Sequence, residues 1–306
     1  MFLVKNFILF FLLFFLNCKL LIATENNNIT KKINIAVSIN PLFQIVEAIT
    51  ANKTDNFLIF NDNFSEHNYQ LTASDVKALN RADLVFIIDK SLEKNLTKYL
   101  ASKTNQTQLI AVSEIDKMII LKEHNNSQKI DYHLWLDPNN AEIIANFITQ
   151  KLCTIDTKNC EFYQKNLKLF KDQNKNFIKN IKKKITRIND QKFIFYRDCY
   201  RYLQNAFTLT PIEIANNNHS QDLKITKLKK LEKIINEQKI SCLIGDYFDE
   251  KNSAIKLAKK YQINFTKVDI IGLASSKKNL DSFQNLNGYH QIIYKIIEEI
   301  ERCQAL

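Results

Sequence analysis

Short apolar runs alternate with segments whose apolar residues recur every three or four positions, from Asn34 to the C-terminus. Asn34 to Ser38 reads as a strand that ends at Asn40-Pro41, and Leu42 to Thr50 has helical periodicity. Phe57–Phe60 and Leu84–Ile88 read as further strands, Asp75–Arg81 as the helix between them, and Leu109–Val112 as a fourth strand. Pro138 starts a helix that runs through Ala141 to Leu152, with Asp137 placed as its N-cap. Strands alternating with helices imply a parallel sheet flanked by helices.

Glu161 to Ile188 then carries one apolar stripe: Tyr163, Leu167, Phe170, Phe177, Ile181, Ile185 and Ile188. A helix of that length would reach about 42 Å at 1.5 Å per residue, the width of a domain. It reads as a connecting spine, the alternative being an ordinary surface helix of the second half. Beyond it the alternation restarts: strands at Phe193–Tyr196, Ser241–Gly245 and Phe265–Val268, helices at Lys227–Gln238, Ser253–Tyr261 and Phe283–Arg302. The fold class expected is α/β: two lobes, each with a parallel sheet flanked by helices, joined by one long helix. The expected boundaries are 33–160 for the first lobe, 161–190 for the connecting helix and 191–306 for the second.

The first residues are of another kind. Lys5 gives a weak positive region, Phe7 to Leu16 is almost wholly apolar, and Leu21-Ile22-Ala23 offers a small residue for cleavage. That run is shorter than the roughly 20 residues needed to span a bilayer. Residues 1–23 are therefore expected to be a signal peptide, leaving an exported, soluble periplasmic monomer that starts near Thr24. Asn17 before Cys18 makes a poor lipoprotein box, so a lipid anchor at Cys18 is not expected. Within 306 residues, Gly 3 and Pro 3 are low while Asn, Lys and Ile abound, which we read as coding bias. The net charge of +11 would suit nucleic acid, but Lys179, Lys182, Lys183, Lys184 and Lys227, Lys229, Lys230 read as solvated helix faces. No nucleic-acid signature accompanies them.

Export changes how the cysteines read. Without Cys18 an odd number remains: Cys153, Cys160, Cys199, Cys242 and Cys303. Cys153 and Cys160 flank a short loop and could close it. A Cys242–Cys303 bridge would staple the C-terminal helix, leaving Cys199 over. The alternative is five reduced, buried thiols.

In open α/β sheets, ligands bind beyond the carboxyl ends of the strands. His67 follows the Phe57–Phe60 strand, Arg197 and Asp198 follow Phe193–Tyr196, Asp246 follows Cys242–Gly245, and Asp269 follows Phe265–Val268. His133 sits just before a helix. Imidazole with carboxylate suits Zn2+ or Mn2+, and nitrogen donors favour zinc. Spacing adds little, since nothing resembles HExxH.

The wording around these residues adds more. Ser65-Glu66-His67-Asn68-Tyr69, Ser74-Asp75, Ala82-Asp83-Leu84 and His133-Leu134-Trp135-Leu136-Asp137-Pro138 resemble the zinc/manganese-binding solute-binding proteins of ABC transporters, the ZnuA/TroA type. Weaker matches are Tyr196–Tyr200, Cys242–Phe248 and Asp269–Gly272, so the resemblance covers nearly the whole mature chain. It implies two α/β lobes with one metal in the cleft and a membrane permease as partner. It also implies His67, His133 and Asp269 as ligands, with Glu66 as an accessory carboxylate. The Cys242–Cys303 staple resembles the same subgroup.

Two departures matter. Where the family places a histidine or glutamate ligand, this chain reads Arg197-Asp198-Cys199-Tyr200, and a guanidinium has no lone pair for a metal. The stretch Lys122 to Ile130 is short and holds only His124, so auxiliary metal capture is not expected. Three outcomes follow for position 197. Arg197 turns outward while Cys199 or His219 supplies a donor; or three ligands and water suffice; or Arg197 pairs with Asp269 or Glu66 and takes the cation's place. The expected function is the extracytoplasmic binding component of a divalent-metal uptake system, zinc before manganese, and not an enzyme. The alternatives are a degenerate member with an adhesive or scaffolding role, and a zinc hydrolase with Glu66 as base and Arg197 stabilising an anion.

Overall fold

A computed structural model describes residues 32–60, 69–103, 107–124, 126–216, 223, 225–247, 253–273 and 286–305. The expected signal peptide with Cys18, and the candidates Glu66, His67 and His219, lie outside the described residues.

Two four-stranded parallel sheets organise the chain. The first is built from β1 (Asn34–Val37), β2 (Asp55–Leu58), β3 (Leu84–Ile87) and β4 (Gln108–Ala111), in the order β2-β1-β3-β4. The second uses β7 (Phe193–Arg197), β8 (Glu213–Asn216), β9 (Cys242–Asp246) and β10 (Asn264–Val268), in the order β10-β9-β7-β8. The central strands β3, β7 and β9 are apolar almost throughout because helices cover both faces. In each sheet the chain leaves a central strand first to one side and later to the other. The resulting crevices lie between β1 and β3 and between β7 and β9, at their carboxyl ends.

Helices α1 (Asn40–Thr50), α2 (Ala73–Arg81), α3 (Lys94–Ala101) and α4 (Pro138–Ile155) belong with the first sheet. Local chemistry sets their ends. Pro41 enters the first turn of α1. Thr72 and Asp75 form a capping box on α2. Asp137 caps α4, its Oδ1 accepting from the Asn139 N–H at 2.8 Å. The spine α5 (Cys160–Asn189) is 30 residues long, about 45 Å. Six of the seven stripe residues are among those it buries, together with Asn174. Helices α6 (Arg201–Phe207), α7 (Ile225–Gln238) and α8 (Ser253–Tyr261) follow, and α9 (Gly288–Ala305) closes the fold. Helix α9 packs on the spine, on α1 and on β10, so the last helix touches elements from both halves of the chain.

Apolar side chains from both sheets, the spine and α9 form one continuous core. A smaller cluster lies under α7 and α8. Disulfides join Cys153 to Cys160 and Cys242 to Cys303, and Cys199 stays a buried thiol. The stretch read as a short loop before His133 contains an antiparallel hairpin, β5 (Lys122–Glu123) and β6 (Asn126–Ile130).

Candidate functional site

His133 belongs to the first lobe, where the chain leaves the hairpin and enters a single 3-10 turn ahead of α4. It is 6 % exposed and Asp131 is 5 % exposed. Asp131 Oδ1 accepts twice, from the His133 backbone N–H at 2.9 Å and from the ring Nδ1 at 2.7 Å. A carboxylate only accepts, so Nδ1 carries a proton, and in the neutral ring Nε2 carries the lone pair. Carboxylate–histidine pairs of this kind orient metal-binding imidazoles and raise their basicity. The Asp131 carbonyl in turn accepts from the Tyr202 hydroxyl on α6 at 2.9 Å, and that hydroxyl accepts from the Leu121 N–H at 2.9 Å.

The second lobe presents Arg197 at the end of β7 and Asp246 at the end of β9, the two strands that border its crevice. Arg197 Nε lies 3.9 Å from Asp246 Oδ2, with 20 % of the arginine side chain exposed. The arginine side chain is therefore mostly buried, with its Nε inside the protein. Cys199 is 1 % exposed and counted in the apolar core, and Tyr200 beside it stacks on Phe195 with ring centroids 4.1 Å apart. Burial drives the Tyr200 hydroxyl well above its usual range, so it stays protonated.

Asp269 opens the turn after β10. Its Oδ1 accepts from the N–H groups of Ile271 at 3.1 Å and Gly272 at 2.8 Å. Gly272 is at φ +71°, and a Cβ there would meet Ile292 at 2.6 Å. The turn that fixes Asp269 thus depends on a glycine.

Side-chain bonds bring the two halves together. Asn40, just beyond β1, donates to the carbonyls of Ile271 at 2.9 Å and Gly272 at 3.2 Å. Trp135 Nε1 donates to the Ile270 carbonyl at 3.0 Å, and Tyr289 donates to the Trp135 carbonyl at 2.8 Å. The loops that carry His133 and Asp269 are therefore clasped to each other. Among the described residues, no three His, Cys, Asp or Glu side chains gather in a metal-sized cluster; the expected partners Glu66 and His67 lie outside that set.

Several contributors escape a reading of the sequence. The hairpin reaches the second lobe through His124, whose Nδ1 lies 2.7 Å from Asp198 Oδ1. Arg201 also donates to the Lys122 carbonyl. Asp131 sits two residues from His133, a signal available in the sequence but without a periodicity to single it out. At the first lobe's own crevice, Glu93 accepts from the N–H groups of Ile88 at 3.0 Å and Asp89 at 2.8 Å. Burial pushes the Glu93 carboxyl up to about 7.

The family model described as "Zinc-uptake complex component A periplasmic" matches residues 35–303. The metal ABC transporter substrate-binding lipoprotein SloC of Streptococcus mutans is 28% identical over 72% of this chain and 75% of its own length. The manganese ABC transporter substrate-binding lipoprotein PsaA of Streptococcus anginosus is 25% identical over 89% of this chain and 90% of its own. In fold, the crystal structure of the AdcAII protein of Streptococcus pneumoniae aligns with a TM-score of 0.72 at 20% identity, covering 88% of this chain and 99% of that one.

Proposed function

The chain belongs to the periplasmic zinc-uptake component A family, and from that premise we propose that zinc is its cargo, held by His67, His133 and Asp269. It is an extracytoplasmic substrate-binding protein of a metal ABC transporter and not an enzyme. The observation that carries the zinc reading is the Asp131–His133 pair. It fixes an imidazole with its lone pair on Nε2, and imidazole suits zinc better than manganese. Glu66 would add an accessory carboxylate. Burial in the core counts against Cys199 as a replacement donor. We assign the lobes to 33–160 and 191–306, with the spine between them limiting closure, so that release to a membrane permease needs only local movement.

Arg197 weakens the site without disabling it. A unit charge 4 Å from another is worth about 4 kcal/mol at an effective dielectric of 20, and twice that against a dication. Asp246, 3.9 Å from the guanidinium, offsets a large part of this repulsion. The manganese relatives set the second reading, since PsaA is named for manganese.

Parallel equilibrium titrations with zinc and manganese, on wild type and His67→Ala, test the assignment. A single zinc per chain, lost in the variant, is expected. Tighter manganese than zinc would change the cargo, and no binding at micromolar metal would end the proposal. The lipoprotein names of the relatives argue for an anchor at Cys18 in place of the soluble form expected from Asn17. Intact mass of the protein from its native compartment distinguishes a lipid-modified Cys18 from a chain starting near Thr24.

A further inference from the structure

We propose that the outer face of the spine α5 docks the protein on an anionic membrane surface, through the phosphate groups of its lipids. The face turned away from the apolar stripe carries exposed Lys165, Lys168, Lys175, Lys179, Lys183 and Arg187. At 1.5 Å per residue that row runs along about 33 Å of helix. Against these cations the helix sets two carboxylates, Glu161 and Asp172. Leu169, 57 % exposed on the same side, adds an apolar contact for the headgroup region.

The row differs from the other basic surfaces in having no counter-charges. On α7 and α8, Lys230 lies 2.5 Å from Glu213, Lys233 3.9 Å from Glu237 and Lys260 2.8 Å from Glu232. Lys184, beside the row on the spine, pairs with Glu301 at 2.6 Å. Among the described residues, no carboxylate pairs with any of the six cations of the outer face. Lys175, Lys179, Lys183 and Arg187 also follow one another every four residues, a spacing at which like charges repel and weaken a helix. An anionic surface laid along the row offsets that repulsion. A single helix face meets a plane of headgroups along its whole length, whereas duplex nucleic acid is gripped by elements that enter a groove. A substrate-binding protein of an ABC transporter also works beside the membrane that holds its permease. Each cation near an anionic leaflet strengthens binding about fivefold, and salt screens the attraction.

The test is co-sedimentation of the chain from Thr24, which holds the whole compact unit of residues 33–306, with phosphatidylcholine vesicles lacking or containing phosphatidylglycerol. Wild type should bind the anionic vesicles and not the neutral ones, and high salt should release it. Lys168→Gln, Lys175→Gln, Lys179→Gln and Lys183→Gln combined should weaken binding about a hundredfold or more, with the far-ultraviolet circular dichroism unchanged. Glutamine at Lys229, Lys230, Lys233 and Lys260 removes the same charge from α7 and α8. It should weaken binding by less than about tenfold, since charges beyond a Debye length of the surface are screened. Equal losses in the two variants would reduce the effect to net charge and overturn the docking face. Wild-type binding as strong to neutral vesicles, or none to anionic vesicles at low salt, overturns it without any variant. Tighter binding to duplex DNA than to anionic vesicles, lost in the spine variant, overturns the membrane in favour of a nucleic acid.

Discussion

The two halves of the crevice set an aspartate beside side chains of opposite character, a hydrogen bond in one and a longer ion-pair contact in the other. In the first lobe a carboxylate, Asp131, holds a side chain from the chain segment just beyond it, and the product is an imidazole with its lone pair on Nε2. In the second lobe a carboxylate, Asp246, lies 3.9 Å from the Nε of Arg197 at the end of the neighbouring strand, an ion-pair contact longer than a hydrogen bond. One half presents an imidazole that can donate to a metal; the other presents a cation. Orienting a residue with an aspartate therefore says little about function until the oriented group is named. At position 197 the scaffold is kept and the chemistry reversed.

Breaking the ligand half should have the largest effect. His133→Ala removes the oriented imidazole, and high-affinity zinc binding by chelator competition should be lost while the far-ultraviolet circular dichroism is unchanged; retained affinity would move the site elsewhere. Asp131→Asn keeps a hydrogen-bond acceptor but removes the charge that raises His133 basicity. A ten- to a hundredfold loss of zinc affinity is expected, the range for partners of metal-binding histidines. A loss confined to stability would make Asp131 merely structural. Trp135→Phe removes the bond to the Ile270 carbonyl that clasps the two halves. A buried hydrogen bond is worth about 1 kcal/mol, so denaturant unfolding should show a drop of that order, with zinc affinity falling by about fivefold or less.

The smallest effect concerns the joint behind the crevice, where α9 meets the spine. His290 is fully buried there, its Nε2 3.0 Å from Asn174 Oδ1, and burial lowers its pKa to about 3. Between pH 6.5 and about 3 the unfolded chain takes up a proton that the folded protein refuses. His290 thus favours the fold above pH 6.5, and this contribution falls as pH drops through that window, by at most about 1.4 kcal/mol per pH unit. Glu93 acts in the opposite sense from pH 4.5 to about 7, because there the folded state holds the extra proton. His290→Gln should therefore flatten or reverse the acid-side slope of urea midpoints against pH. A slope identical to wild type would show that His290 does not set it.

Much of this arrangement was legible in the residues. The buried strands announce themselves as short apolar runs because helices cover both sheet faces, and the spine shows as one stripe because a single face meets the core. Asp137 as N-cap and the Cys153–Cys160 closure follow from local position, whereas Cys242–Cys303, 61 residues apart, stood as one open reading beside reduced thiols. What escaped is what tertiary contact decides. The β5–β6 hairpin is polar, α6 is brief, and neither carries a period long enough to read. The Asp131–His133 pair is local but marked by no period, while the cross-lobe bonds of Asn40 and Trp135 are products of the packed fold. Arg197 was visible as a departure from a family pattern, but not that Asp246 would stand beside it, since the two meet only when β7 and β9 lie side by side.

The most direct test of the altered second half is zinc affinity of wild type against Arg197→His, measured side by side in the same buffer. Replacing a cation by a donor removes several kcal/mol of repulsion even after Asp246 is counted. The substitution should tighten zinc binding by about a hundredfold or more. Equal affinities, or weaker binding by the variant, would contradict the assignment of position 197 to the metal crevice.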